Sequence, residues 1–348
     1  MDSFLQGADV ATQQWMLLTY AQFVRDGNAG RGHVVRLGSV QAAIGAVGKI
    51  FSLEHPDRVN PCHAVGQHER YFPALAELMR GYERDDPKAQ PKLAVPVAVT
   101  KHVLAEAKTT TSKHRNKIQA VADLITIAFY FLLRVGEYTY KPGETQTVPF
   151  HVGHITFRTA DSMAIPQDAN LATLHTAVEA TMRITNQKSG IKGQCIHVEA
   201  LRNDPTNCPI RALARRVHHI LSKGGSLDSP IYEYYNQRNV PSKVGSALIN
   251  TTVKDAAMDI GLDKHGYTRA DVSSHSLRAG GAMAMHLNGI SATTIQMTGR
   301  WSANSNTFLT YIHEQISAFA AGVSERMSNS IQFRHIAGPT VQMSAATA

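Results

Sequence analysis

The chain has 348 residues, 43% hydrophobic and 18% charged, which is too apolar for a disordered tail protein and long enough for two domains with cores of their own. Its net charge of +8 is unevenly placed: residues 1–96 hold ten basic and ten acidic side chains, so the whole excess falls in residues 97–348 and favours a polyanionic partner there. The longest apolar stretch, Val121 to Leu133, is 13 residues, short of the roughly 20 that cross a bilayer, and no membrane partner is expected. The opening residues MDSFLQGADV show neither a basic nor an apolar signal region, and an intracellular protein is expected. Cys62, Cys195 and Cys208 are far apart and odd in number, which fits a reducing compartment better than a disulfide framework or a zinc site.

Residues 10–80 read as helices, with Trp15, Leu18 and Phe23, then Ile44, Val47, Ile50 and Phe51, at helical spacing, and with Pro73 opening a further helix. The stretch from Arg84 to Pro96 contains three prolines and is expected to be a linker, which divides the chain into a helical part, 1–90, and a second domain, 91–348. Residues 97–107 form a helix in this reading. The basic, hydroxyl-rich run KTTTSKHRNK follows, and Lys108, Lys113, Arg115 and Lys117 in it are expected to meet phosphates. A buried helix from Ile118 to Leu133 ends at Arg134, with the Gly136 bend turning the guanidinium outward and Glu137 orienting it. Period-two alternation at 154–158, 180–185 and 195–200 predicts a small sheet with one hairpin, turned by Ser189, Gly190 and Gly193. Helices then resume, one opened by Pro209 and closed before Gly224, others closed by Gly261, Gly289 and Gly299. The fold class is mainly α with a small antiparallel β-sheet.

Several residues in the second domain are able to carry chemistry. His275 and Arg278 lie three apart at the start of a helix, on one face beside free backbone N–H groups, which makes an anion site with a titratable neighbour. Ala279, Gly280 and Gly281 behind them permit close approach of another backbone. Trp301 supplies an indole donor, and Tyr311 lies on a following helix between Leu309 and Ile312. Taken singly these read as a helix-end arginine, a capping histidine and a core tyrosine. His151, His154, His218 and His219 lack further ligands at useful spacing, so no metal is assigned.

In order and separation, R-x-G-E at 134–137, a hairpin lysine at 188, H-x-x-R at 275–278, G-R-W at 299–301 and Tyr311 together resemble the tyrosine recombinase/integrase family over residues 97–325. The phrases AQFVRDG, NQKSG, CPIRALARRV and GRW are similar to recombinases of eukaryotic mobile elements of the DIRS and Crypton type. The resemblance implies a helical core-binding domain followed by a catalytic domain of the DNA breaking-rejoining fold with a C-terminal helical tail. It implies site-specific cleavage and rejoining of double-stranded DNA through a 3′-phosphotyrosine on Tyr311. Arg134 and Arg278 would hold the phosphate, Lys188 would protonate the leaving oxygen, with Lys192 as its substitute, and His275 would take the tyrosine proton. Trp301 would donate to phosphate and Glu137 would support the first arginine. Arg300 and Lys192 join the basic loop as DNA contacts. The family works as a tetramer on DNA, without metal or ATP, and no P-loop or two-metal carboxylate cluster is found here. Residues 314–348, with Phe319, Val323, Met327 and Ile331 at helical spacing, would dock on a neighbouring protomer or pack in cis. In a eukaryotic host the protein would act in the nucleus. Two alternatives stay open: a type IB topoisomerase-like relaxase, and a domesticated DNA-binding protein without turnover.

Overall fold

The computed structural model describes residues 7–30, 32–63, 71–87, 92–111, 113–143, 147–185 and 193–302. The chain divides into two compact units, Met1–Gln90 and Pro91–Ala348. Among the described residues no helix is long and apolar enough to cross a membrane.

The first unit contains α1 (Val10–Arg25), α2 (Leu37–Glu54) and α3 (Pro73–Asp85). Asp9 starts α1 by accepting from the Thr12 amide, and Pro73 sits in the first turn of α3, where its missing N–H costs nothing. Leu17, Ala21 and Val24 form the buried stripe of α1 and meet Val40, Ile44, Leu75 and Met79. The expected stripe through Trp15 and Phe23 is instead 65% and 48% exposed. Both stripes have helical spacing, and the one carrying the small Ala21 lets the neighbouring helix approach. Arg25 donates to the Val35 carbonyl (2.6 Å) and the Asp86 carboxylate, whose other oxygen accepts from the Leu37 amide (2.7 Å). One carboxylate thereby joins the end of α1 to the start of α2, and the Leu37 and Arg25 donors hold its pKa below the usual range.

The second unit is built around α5 (Arg115–Tyr130), every residue of which is buried from Ala120 to Phe129. Around it pack α4 (Ala98–Thr109), α8 (Pro209–Ser222), α9 (Ser246–Asp259) and α10 (His275–Leu287). Among the described residues the unit also has the short α6 (Val135–Tyr138) and α7 (Leu171–Leu174), α11 (Ala292–Gly299), and two 3-10 turns, Val152–His154 and Leu262–His265. A four-stranded antiparallel sheet runs in the order β2 (Ala164–Ile165), β1 (Ile155–Arg158), β3 (Glu179–Arg183), β4 (Cys195–Glu199). Its register pairs Phe157 with Ala180 and Met182 with Ile196, and Ile155, Phe157, Ala180 and Met182 face the core. A second hairpin, β5 (Glu233–Tyr235) with β6 (Pro241–Lys243), was not foreseen, because three-residue strands carry almost no alternation to read.

The mainly helical class with a small antiparallel sheet is therefore what the chain adopts. Two helix ends differ from expectation in ways that shape the site. The buried helix stops at Tyr130, not at Arg134, because Leu132 turns into the left-handed region (φ +48°), and Arg134 becomes the N-cap of α6. At the end of α11 the left-handed residue is Arg300 (φ +58°), not Gly299.

Candidate active site

Four segments converge behind the end of α5: the Leu132–Arg134 turn, α6, the start of α10 and the end of α11. The short α6 is fixed at its start by Glu137, whose N–H donates to the Arg134 carbonyl (2.8 Å) and whose carboxylate accepts from Arg134 in return. Arg134 donates its backbone N–H to Glu137 Oε2 (2.9 Å) and its Nη1 to Oε1 (3.3 Å), which holds the guanidinium over the cap. Glu137 is fully buried, whereas the Arg134 side chain keeps 29% of its surface exposed. Glu137 is thus the carboxylate against which the Arg134 guanidinium lies.

Arg278 projects from the first turn of α10 and is buried. Its Nη1 donates to the Leu132 carbonyl and its Nη2 to the Gly299 carbonyl. Arg134 Nη2 reaches the next carbonyl along, that of Arg300, at 3.4 Å. Two guanidiniums are thus anchored on consecutive peptide groups at the end of α11, although their residues lie 144 positions apart in the chain. The Trp301 ring lies over the Arg278 guanidinium, 4.3 Å from it, and packs against the cluster of Ala94, Ala279, Ala282, Met283 and Ile295.

Glycines make these approaches possible. A Cβ on Gly280 would stand 2.1 Å from the Val95 carbonyl, and one on Gly281 would stand 2.3 Å from the Phe129 carbonyl. A Cβ on Gly299 would lie 1.6 Å from the Trp301 ring, so Gly299 is required by the indole above it and not by its own φ.

His275 opens α10 on the same side as Arg278. Its surface remains exposed, yet crowding around the ring, and then the positive charges of Arg278 and Arg134, hold its pKa below the ordinary histidine value. A neutral imidazole beside two guanidiniums is able to accept a proton at neutral pH.

Arg300, expected at a DNA contact, is turned inward. Its side chain is 3% exposed, and its Nη2 donates both to Glu137 Oε2 (2.9 Å) and to the Leu132 carbonyl (3.1 Å). The cause is its left-handed backbone, which swings the side chain beneath α6. Sequence reasoning missed this, and it missed the Leu132 carbonyl as an acceptor for both Arg278 and Arg300. A non-glycine residue at φ +48° has no sequence signature.

Lys108, in the last turn of α4, and Lys113 and Arg115, at the α4–α5 turn and the start of α5, are exposed, and Lys117 in α5 is partly buried; Lys108 Nζ donates to Thr206 Oγ1 (3.0 Å). Lys188, Lys192, Tyr311 and the tail 314–348 lie outside the described residues. The one cation-ligand grouping among the described residues is His102 with Glu106 and Asp259; Nε2 is 3.7 and 3.6 Å from the two carboxylates, and these are more than half exposed.

No family model and no curated protein matches the chain. Among solved structures it is similar to the Tn1549 transposon integrase in complex with transposon right end DNA (12% identity, TM-score 0.45, covering 90% of this chain and 85% of that one). It is similar also to XerH site-specific recombinase bound to palindromic difH substrate in a post-cleavage complex (14% identity, TM-score 0.47, 92% and 74%). A lambda integrase dimer bound to a COC′ core site matches at 11% identity and TM-score 0.41, covering 97% and 87%.

Proposed function

We propose that the chain cleaves and rejoins DNA strands through a 3′-phosphotyrosine on Tyr311, as a site-specific recombinase or integrase. The observation that carries this reading is the seating of Arg134 and Arg278 on the consecutive carbonyls of Arg300 and Gly299, with His275 beside them and Trp301 stacked on Arg278. Two clustered guanidiniums suit one phosphodiester, whose negative charge grows as a fifth oxygen approaches phosphorus: Arg134, partly exposed, meets a non-bridging oxygen, and Arg278, buried with both Nη atoms on carbonyls, adds its charge from behind. Arginine serves here better than lysine because its planar fork matches a phosphate face.

In this reading the Tyr311 oxygen attacks phosphorus and passes its proton to neutral His275. A bond forms between that oxygen and phosphorus, and the bond from phosphorus to the 5′ oxygen breaks. The leaving oxygen takes its proton from Lys188, whose role, like that of Tyr311, rests on the sequence resemblance. Trp301 supports Arg278 from one side and Glu137 supports Arg134 from beneath. The phosphotyrosine keeps the energy of the broken bond, so rejoining by the reverse steps needs neither nucleotide nor metal. Lys108, Lys113, Arg115, Lys117 and Lys192 would add phosphate contacts. The working form on DNA is a homotetramer, the sequence phrases favour an element of the DIRS or Crypton type, and in a eukaryotic host the site of action is the nucleus.

Metal-free incubation with nicked duplexes of randomised sequence and with DNA flanking the gene, followed by detergent trapping, tests the reading. A covalent protein–DNA adduct that disappears in Tyr311→Phe is expected. DNA binding without an adduct on either substrate set would support a binding protein without turnover, and relaxation of supercoils without strand exchange would support a relaxase.

A further inference from the structure

Arg300 is the least expected member of the cluster. It is an arginine, a residue favoured at DNA surfaces, yet its side chain is 3% exposed. It occupies a left-handed conformation usually reserved for glycine or asparagine. Its Nε and Nη1 atoms are buried with no hydrogen-bond partner. A strained backbone and two unsatisfied side-chain donor atoms in one residue are costs that a purely stabilising residue would not be expected to accumulate.

What the residue holds explains why it is there. Its backbone carbonyl accepts from Arg134, and its Nη2 donates to Glu137, the carboxylate that also orients Arg134. The same Nη2 donates to the Leu132 carbonyl, which also accepts from Arg278. The connections close a ring from Arg134 through Glu137, Arg300 and Leu132 to Arg278, and back through Gly299 to the peptide of Arg300. Without the Arg300 charge, Glu137 would lie fully buried with Arg134 as its remaining ion-pair partner, and would draw that guanidinium inward, away from an incoming phosphate.

We infer that Arg300 is a positioning residue, which neutralises Glu137 and shares the Leu132 carbonyl so that Arg134 stays turned toward one phosphodiester with the Arg278 charge fixed behind it. The inference rests on the strand-cleavage reading above. It assigns Arg300 no contact with DNA.

Arg300→Lys and Arg300→Met, in the full chain, separate this role from its rivals. Two quantities are read on a nicked duplex that the wild type cleaves: the dissociation constant, and the rate of adduct formation in the bound complex. Positioning predicts a bound-complex rate down about 100-fold in Arg300→Met, with affinity within about threefold of wild type. Arg300→Lys keeps the charge beside Glu137 but loses the fork, and its rate is expected to recover about tenfold over Arg300→Met while staying below wild type. If Arg300→Met does not fold, Arg300→Lys alone decides, with a rate about tenfold below wild type at unchanged affinity as the supporting result. Weakened affinity with an unchanged bound rate would mark a DNA contact, and no change in either would mark a bystander; both overturn the inference and leave the strand-cleavage reading standing. A wild type that forms no adduct on any substrate overturns the strand-cleavage reading itself, and this inference falls with it.

Discussion

The Trp301 indole rests on a bare backbone, because Gly299 offers nothing where any other residue would put a methyl group. Gly299→Ala should displace the ring, weaken its contact with Arg278 and cost about 1–3 kcal/mol of stability, the usual range for overpacking. A urea melt combined with adduct trapping checks this, and unchanged values for both would show that the ring relocates freely. His275 makes a second prediction at the same scale. Its lowered pKa means that adduct formation, if it needs neutral imidazole, holds its rate down through pH 6.5, the ordinary histidine value, and declines only under more acidic conditions. Arg278 is one of the charges that depress it, so Arg278→Gln should raise the His275 pKa in an NMR titration. Stability follows the same sign, since the unfolded chain binds this proton more tightly and acid therefore weakens the fold through His275. A titration that finds His275 protonated at neutral pH would remove it as the proton acceptor there.

Among the elements, α10 decides where Arg278 can be. Two adjacent glycines let its backbone touch the carbonyls of Val95 and Phe129, and no side chain larger than hydrogen fits at either point. Gly281→Ala should push α10 away from α5, carry Arg278 off the Leu132 carbonyl and cost about 1–3 kcal/mol. The expected result is a lower urea midpoint together with a slower bound-complex cleavage rate; a slower rate without destabilisation would argue for a local effect at Arg278 instead. This packing also shows how far the elements were legible beforehand. The helical spacing, Pro73, Pro209 and the glycines after α8, α9 and α10 mark those helices, because caps and breakers act locally. The residues Arg134, Glu137, His275, Arg278 and Trp301 could be named from their motifs, and the structure brings them together. The inward turn of Arg300, the early end of α5 and the exposed face of α1 could not be read, since each is settled by what another segment presents, not by local preference.

For the whole molecule the asymmetry of charge matters most. All of the +8 belongs to residues 97–348, whereas residues 1–96 are electroneutral. Counterion release then predicts that affinity for a duplex falls tenfold or more as salt rises from about 50 to 200 mM, with a linear plot of log affinity against log salt. A flat plot would mean that recognition rests on apolar and base contacts instead.

The Leu132 carbonyl, which receives both Arg278 and Arg300, belongs to the main chain. No codon change can delete it, since every amino acid at 132 brings the same oxygen, and a substitution alters the ease of reaching the left-handed turn and the packing of the buried side chain. The anchor of the site is therefore inherited through the path of the backbone, and a relative could exchange the leucine for glycine or asparagine and keep the anchor intact. Alanine scanning, which reads side chains alone, would report at this position only the loss of a buried leucine side chain and would miss the oxygen on which the two arginines depend.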